Sequence, residues 1–311
     1  MRVFAALCPT GERRSVLTPN ATVLRGPTRP SKTAASLRAG LIGRGIQLSY
    51  SPRMHESEGV RLGLNYSYRL FDFDLLDRND ADLPNLIAWL RDKGYAGLNI
   101  THPFKEQVIA TLDRLSPEAS AIGAVNTVVF QADAAVGHNT DCWGFAESFQ
   151  RGLPHPRLDC VVLIGTGGAG MAVAHALLGL GVKRLAVADS IGAKARQLAA
   201  RLNDQVPSRE IVAVTDLAAA LATADGMVNA TPVGMVKYPG IPVEAAWLRP
   251  EMWVADIVYF PAETELLQVS ESIGCRILPG TGMAVFQAVM AFKLITGVAP
   301  DPDQMAKHFD R

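Results

Sequence analysis

The sequence predicts a two-domain α/β protein in which mostly parallel sheets are covered by helices. Three observations carry this. Apolar strand-length runs alternate with amphipathic helix-length runs from Ala39 to the C-terminal region. One stretch, Val161 to Gly181, reads as strand, tight glycine turn and helix in immediate succession. The chain has 311 residues, of which 49% are hydrophobic and 19% charged, enough to bury a large core in more than one unit.

Residues 1–38 stand apart, with seven basic residues (Arg2, Arg13, Arg14, Arg25, Arg29, Lys32, Arg38) against the single acid Glu12 and no sustained hydrophobic period. They read as a disordered N-terminal tail; a transit segment or a start placed too early would share that composition.

From Ala39 the elements follow in order. Ala39 to Gly43 is a short strand, Met54 to Gly63 a helix and Tyr66 to Asp72 an aromatic-rich strand. Leu83 to Lys93 has apolar residues at helical spacing and is closed by Gly94; Ala96 to Thr101 is a strand. Helices follow at Lys105 to Asp113 and Pro117 to Ile122. A hairpin is expected from Ala124 to Gln131 and Ala135 to Asn139 around Ala132-Asp133, then a helix from Asp141 to about Arg151. These residues, 39–152, form one domain, and Leu153-Pro-His-Pro-Arg157 links it to the next.

The second domain, 153–282, opens on the glycine turn. It continues with a strand at Arg184 to Asp189, helices at Ala193 to Leu202 and Asp216 to Ala224, and strands at Ile211 to Val214, Gly226 to Ala230 and Trp253 to Val258. A helix at Thr264 to Ile273 and a short strand near Ile277 complete it. After a turn at Pro279-Gly-Thr-Gly282, the helix Met283 to Thr296 is apolar on most faces. It is expected to return to the first domain, so that 283–311 complete that unit.

The turn carries chemistry. Gly165, Gly167 and Gly170 hold the G-x-G-x-x-G spacing: the first permits the tight turn, the second lets backbone approach a pyrophosphate, and the third packs helix on strand. With Gly168 and Ala169 they present free N–H groups at a helix N-terminus. Asp189 ends the next strand about 20 residues on, where a carboxylate takes the ribose hydroxyls of an adenosine. This predicts a Rossmann-type dinucleotide-binding domain. Ser190 and Ile191 follow, so no arginine stands ready for a 2′-phosphate, and the pattern favours NAD over NADP.

Composition excludes other classes. Formal net charge is zero, which gives no footprint for nucleic acid or an anionic membrane. No apolar run reaches the roughly 18 residues of a spanning helix. Cys8, Cys142, Cys160 and Cys275 lie far apart without a C-x-x-C pair, so neither a metal site nor a disulfide framework is expected, and a cytoplasmic location is.

Polar clusters follow the strand ends of the first domain, where ligands of open parallel sheets collect. They are Ser49-Tyr-Ser51-Pro52, Asn99-Ile-Thr101-His-Pro-Phe-Lys105, Asn126, and Asn139-Thr-Asp141. Singly each has a duller reading: Ser51 and Asp141 could cap helices, and Lys105 could be a solvated surface lysine. Cys142, with no partner base indicated, reads as core packing.

In these residues the chain resembles the shikimate dehydrogenase family, including its NAD-using quinate/shikimate branch. The matching segments are Gly97-Leu-Asn-Ile-Thr-His-Pro-Phe-Lys105, Gly123-Ala-Val-Asn-Thr127, Gly137-His-Asn-Thr-Asp141, Val228-Asn-Ala-Thr-Pro232 and the helix bearing Gln287; the likeness runs from about Leu41 to the C-terminus. It implies reversible hydride transfer between shikimate and 3-dehydroshikimate, quinate being a further substrate, with the first domain binding the acid. Lys105 and Asp141 would be the catalytic pair. Ser49 and Ser51, helped by Tyr259, would hold the ring carboxylate, and Asn99, Thr101, Asn126 and Gln287 the ring hydroxyls. Thr231, Pro232 and the Gly280 to Gly282 turn would flank the nicotinamide. An aminoshikimate or related cyclitol oxidoreductase, or a sensor that binds NAD and a shikimate-like acid without turnover, stays open beside this reading. So does the choice between monomer and homodimer. His102 is a lesser candidate base, set aside because the family gives proton transfer to the Lys and Asp pair.

Overall fold

A computed structural model describes residues 36–309, so the tail expectation for the first residues lies outside the described part up to residue 35. The first half contains β1 (Leu37–Gly43), α1 (Ser51–Arg61), β2 (Tyr66–Asp72), α2 (Leu83–Asp92), β3 (Gly97–Ile100), β4 (Arg114–Leu115), α3 (Pro117–Ile122), β5 (Thr127–Phe130), β6 (Ala135–His138) and α4 (Thr140–Gly152). The second contains β7 (Cys160–Ile164), α5 (Gly168–Leu180), β8 (Arg184–Ala188), α6 (Gly192–Gln205), β9 (Glu210–Ala213), α7 (Leu217–Ala222), β10 (Gly226–Asn229), β11 (Trp253–Asp256), α8 (Glu265–Ile273) and β12 (Arg276–Leu278). Helices α9 (Thr281–Thr296) and α10 (Pro302–Ala306) close the chain.

The strands form two sheets. The first has the order β2-β1-β3-β5-β6-β4, with β5 antiparallel to both its neighbours and the other pairings parallel. The second is parallel throughout in the order β12-β11-β10-β7-β8-β9. Chain order reverses between β7 and β10, and that switch point is where an open α/β sheet leaves a ligand crevice beyond its strand ends.

Packing follows the sequence periods. Helix α2 buries Leu83, Leu86, Ile87 and Leu90, spaced to share one face, against Ile42, Leu98, Ile100 and Phe104. Each such side chain contributes about 1.5–3 kcal/mol when withdrawn from water. Helix α9 buries Ala284, Val285, Ala288, Val289 and Phe292 with Met54, Met305 and Phe309 of the first half and the C-terminal helix. It also lies very close to α4: a Cβ on Gly144 would come 2.7 Å from the Gln287 nitrogen, and one on Gly282 would come 2.2 Å from Ser148 Oγ.

Several boundaries shift by one to three residues, α1 starting at Ser51 rather than Met54 and β5 at Thr127 rather than Ala124, and four further differences stand out. Strand β1 begins at Leu37, two residues before the expected boundary, because Leu37 already pairs in register with Tyr66. Lys105 to Asp113 is no α-helix but a turn leading into a 3-10 segment, Gln107–Thr111. Asp113 instead accepts the Ala135 N–H at 2.7 Å, which pulls the chain into the edge strand β4. Helix α4 is capped by Asn139, not Asp141: its side chain accepts the Cys142 N–H at 3.2 Å. Lastly, Thr281 and Gly282 belong to α9 rather than to a turn before it.

Two buried histidines give the fold a pH signature. His55 is fully buried, its Nδ1 3.0 Å from the Tyr66 hydroxyl, and burial pushes its pKa down to about 3. His175 is pushed to about 4 by burial, with Arg201 adding. In the unfolded chain both titrate near 6.5. Below that pH the unfolded state therefore binds protons that the native state refuses, and their contribution to stability is lost as pH falls from about 6.5 toward 4 and below. The variant His55→Gln/His175→Gln is expected to show a shallower fall in melting temperature between pH 7 and pH 4.5 than the parent. Parallel melting curves would remove burial of these rings as the cause.

Candidate active site

The site is built where strand ends of the first sheet face the glycine turn of the second. Lys105 sits in the turn after β3 and Asp141 in the first turn of α4, where a helix N-terminus favours a carboxylate. Their Nζ and Oδ2 atoms are 2.6 Å apart, with side chains 16% and 7% exposed. Two further contacts fix the geometry: Lys105 accepts the Val125 N–H through its carbonyl at 2.7 Å, and Asn139 Nδ2 donates to the Ala124 carbonyl at 2.9 Å. The chain between β3 and α4 thus becomes one rigid cradle.

Asn126 backs Asp141. Its Nδ2 donates to Asp141 Oδ1 at 2.8 Å and to Thr140 Oγ1 at 2.9 Å, while its Oδ1 accepts the Thr140 N–H at 2.7 Å. Asn99 is equally committed: Nδ2 donates to Thr127 Oγ1 at 3.0 Å and to the Asn126 carbonyl at 3.3 Å, and Oδ1 accepts from the Tyr68 hydroxyl at 2.8 Å. Both amide groups expected to face a ring hydroxyl have their N–H donors turned into the protein. A ligand would meet their remaining acceptor capacity.

The other expected residues stand on the turn that starts α1, at the end of β3, on α9 and after β11. Ser49 Oγ accepts the Ser51 N–H at 3.2 Å in the turn that starts α1, and both residues are half-buried. That turn is itself held by Asp72 at the end of β2, whose carboxylate accepts the Gly45 and Ile46 N–H groups at 3.0 Å each. Thr101 is half-buried at the end of β3. Gln287 projects from α9 beside α4, its Nε2 donating to the Ala284 carbonyl at 2.9 Å. Tyr259 is 41% exposed and packs edge-on to Phe309, yet its phenol is raised above the usual tyrosine range by its surroundings and by the Asp141 carboxylate.

His102 is exposed, and its backbone carbonyl accepts the Arg44 N–H at 3.1 Å; no hydrogen bond joins its ring to Lys105 or Asp141 among the described residues. Cys142 is buried, and burial, with Asp141 adding, holds its thiol up at about 12, so it stays protonated and inert at neutral pH.

On the second sheet the three glycines do different work. A Cβ on Gly165, whose φ is +98°, would lie 2.6 Å from the Ala230 carbonyl oxygen, across the switch point. One on Gly170 would meet the Gly165 oxygen at 2.1 Å, whereas one on Gly167 would meet nothing within 4 Å. Gly167 also caps α5 without a side chain, so no side-chain cap occupies the first-turn N–H groups of the helix, as a pyrophosphate cradle requires. Gly168 and Ala169 complete the turn, and a Cβ on Gly168 would lie 3.2 Å from Lys105 Cβ. The glycine turn therefore abuts the lysine.

Asp189 lies at the far end of β8. Its Oδ2 accepts from the Thr166 N–H and hydroxyl at 2.9 and 2.6 Å, and its Oδ1 from the Ile191 N–H at 2.9 Å. Burial raises its pKa, but these donors, with Lys194, bring the carboxyl below its ordinary value.

Thr231 and Pro232 are placed by Asn229, whose Oδ1 accepts from the Thr231 N–H at 3.0 Å and hydroxyl at 2.7 Å. Asn229 in turn donates to Asp256 at 3.0 Å, and Asp256 also accepts from Val258 N–H and Thr264 Oγ1. Gly280 is pressed against the Ile257 and Val258 carbonyl oxygens, 2.6 Å from where its Cβ would stand. Gly282 is explained by its packing on α4.

Sequence reasoning missed Tyr68, Thr166 and Asp256 and quoted Thr127, Thr140 and Asn229 only as parts of motifs; all six hold the expected residues in place. Their one signal was a polar residue within or at the end of an otherwise apolar strand or turn. Among the described residues no cluster of His, Cys, Asp and Glu could hold a metal, and no helix is long and apolar enough to cross a membrane.

Residues 41–128 match the family model described as shikimate dehydrogenase substrate binding domain. A shikimate dehydrogenase (NADP(+)) of Streptomyces avermitilis is 52% identical over 275 residues, covering 88% of this chain and 94% of that protein. A quinate/shikimate dehydrogenase (NAD(+)) of Corynebacterium glutamicum is 44% identical over 277 residues, 88% and 98% of the two chains. Among solved structures, quinate dehydrogenase from Corynebacterium glutamicum in complex with NAD superposes with a TM-score of 0.82 at 44% identity, again covering 88% and 98%.

Proposed function

The chain belongs to the shikimate dehydrogenase family, and from that premise we propose that it oxidises shikimate reversibly at one ring carbinol with NAD, accepting quinate as a second substrate. The observation that carries the reading is the Lys105–Asp141 pair at 2.6 Å, packed directly against the glycine turn at Gly168. A sensor that bound without turnover would have no use for a proton-transfer pair beside the nucleotide.

The functional division follows: residues 37–152 with the closing helices bind the acid, and the second sheet binds the dinucleotide. The bound nicotinamide supplies or accepts the hydride. The residues of the chain do the rest. Lys105 takes the carbinol proton during oxidation and returns it during reduction, and as an ammonium it stabilises the developing alkoxide. Asp141 holds Lys105 and accepts from a neighbouring ring hydroxyl. Asn99, Thr101, Asn126 and Gln287 orient the ring, while Thr231, Pro232 and Gly280 frame the nicotinamide face. Steady-state assays of both acids with NAD and NADP test this. Turnover of neither acid with either nucleotide would sink it.

The carboxylate is assigned to Ser49 and Ser51, helped by Tyr259, a neutral and directional anion site. Losing one hydroxyl from a charge-assisted contact typically costs about 1.5–3 kcal/mol. Ser51→Ala is therefore expected to raise KM for both acids by about tenfold or more while changing kcat little. Quinate carries a hydroxyl beside the carboxylate, so the shikimate to quinate ratio should move as well. An unchanged KM for both would put the carboxylate elsewhere.

A further inference from the structure

We propose that Tyr68 and Thr127 are positioning residues that hold the Lys105–Asp141 pair in its reactive geometry, through a hydrogen-bond relay running from β2 to Asp141. The proposal rests on the dehydrogenase reading above.

The links at Asn126 and Asn99 are directed by groups that can act in only one way, and the link at Thr127 by the nearer of two acceptors. The Thr140 backbone N–H can only donate, so the oxygen of Asn126 faces it at 2.7 Å and the nitrogen must face Asp141. The Asn126 backbone carbonyl can only accept, so the nitrogen of Asn99 faces it at 3.3 Å, and the Asn99 oxygen is left facing Tyr68 at 2.8 Å. Tyr68 must then be the donor. Thr127 Oγ1 accepts from Asn99 at 3.0 Å and has one proton to give; Asn126 Oδ1 at 3.1 Å is a nearer acceptor than Thr140 Oγ1 at 3.4 Å. Protons thus point one way, from Tyr68 through Asn99, Thr127 and Asn126 to Asp141.

The relay is enclosed. Tyr68, Asn99, Thr127, Asn126 and Asp141 are all buried. A buried polar group deprived of its partner costs more than the bond itself contributes, so removing one member of the network penalises its neighbours. Its near end is Tyr68 on β2, which spends its hydroxyl proton on Asn99 at 2.8 Å and keeps only lone pairs for any further neighbour. Its far end leaves Asp141 Oδ1 occupied by Asn126 and Oδ2 alone for Lys105.

Thr127→Val keeps the shape and removes both the acceptor for Asn99 and the donor to Asn126. The expected result is a kcat lower by roughly tenfold with KM for NAD unchanged, and restoration to near the parent value in Thr127→Ser. A readout independent of turnover is labelling of Lys105 by an amine-acylating reagent, followed by mass spectrometry. A loosened pair exposes the amine, so labelling should be several-fold faster in Thr127→Val and at the parent rate in Thr127→Ser. A Thr127→Val protein with a normal melting curve, parental kcat and parental labelling rate overturns the relay, as does a Thr127→Ser protein as impaired as the valine variant. Should Thr127→Val fail to fold, Tyr68→Phe decides by the same two readouts. If the parent turns over neither acid, the dehydrogenase reading falls and the labelling rates judge the relay alone.

Discussion

Lys105→Ala is expected to lower kcat with shikimate by roughly 10²–10⁴-fold and to leave KM nearly unchanged. During oxidation a hydride leaves the carbinol carbon while the hydroxyl proton needs a base; during reduction the carbonyl oxygen needs a proton as hydride arrives. One group must serve both directions. On the proposed reading Lys105 is that group, because its amine is held 2.6 Å from Asp141 in a mostly buried position, with Gly168 of the nucleotide turn immediately behind its stem. The pair acts where charge develops, so its loss falls on the transition state rather than on ground-state binding. Asp141→Asn should reduce kcat less sharply and also raise KM, since the carboxylate has a ring hydroxyl to accept from as well as a lysine to hold. A near-normal kcat in Lys105→Ala together with an inactive His102→Ala would transfer the proton to the histidine. The exposed ring of His102, with no hydrogen bond to the pair, argues for the first outcome.

The elements most legible in the sequence were those whose local signals agreed. Tyr66 to Asp72 and Pro117 to Ile122 were placed to the residue, the first by its alternating aromatic pattern and the second by Pro117 and the αL glycine Gly123 at its two ends. Lys105 to Asp113 was misread because Val108, Ile109 and Leu112 stand at helical spacing. Long-range bonds decided otherwise, with Val125 N–H taking the Lys105 carbonyl and Asp113 drawn to Ala135. The glycine turn shows how far a motif reaches: Gly165, Gly167 and Gly170 meet three different surroundings, each matching one requirement of the fingerprint. The relay behind Asp141 was hidden for the opposite reason. Tyr68 and Thr127 look like ordinary strand residues, and only the pairing of β3 with β5 brings Asn99 opposite Thr127. Gly282, expected beside the nicotinamide, also has a packing reason that the sequence did not reveal, the close approach of α9 to α4.

Asp189→Asn combined with Ser190→Arg is expected to move the ratio of kcat/KM for NAD to that for NADP by on the order of 10²–10³ toward NADP. Both carboxylate oxygens of Asp189 are held in place, one by Thr166 and the other by the Ile191 N–H, so the group cannot swing away from the crevice. Its depressed pKa keeps it ionised at neutral pH. On the proposed reading a fixed anion with lone pairs to spare would accept both ribose hydroxyls of NAD, and the same charge would repel the phosphate dianion that replaces one of them in NADP. The double variant removes the repulsion and supplies a guanidinium for the phosphate. One cation already stands nearby, since Lys194 on α6 helps to lower the Asp189 pKa. The preference of the unaltered chain is therefore a contest between Asp189 and Lys194, and relatives named for each nucleotide lie at 52% and 44% identity. If the parent enzyme has the higher kcat/KM with NADP, Lys194 wins that contest. In that case Lys194→Ala, rather than the change at Asp189, should be the substitution that restores NAD.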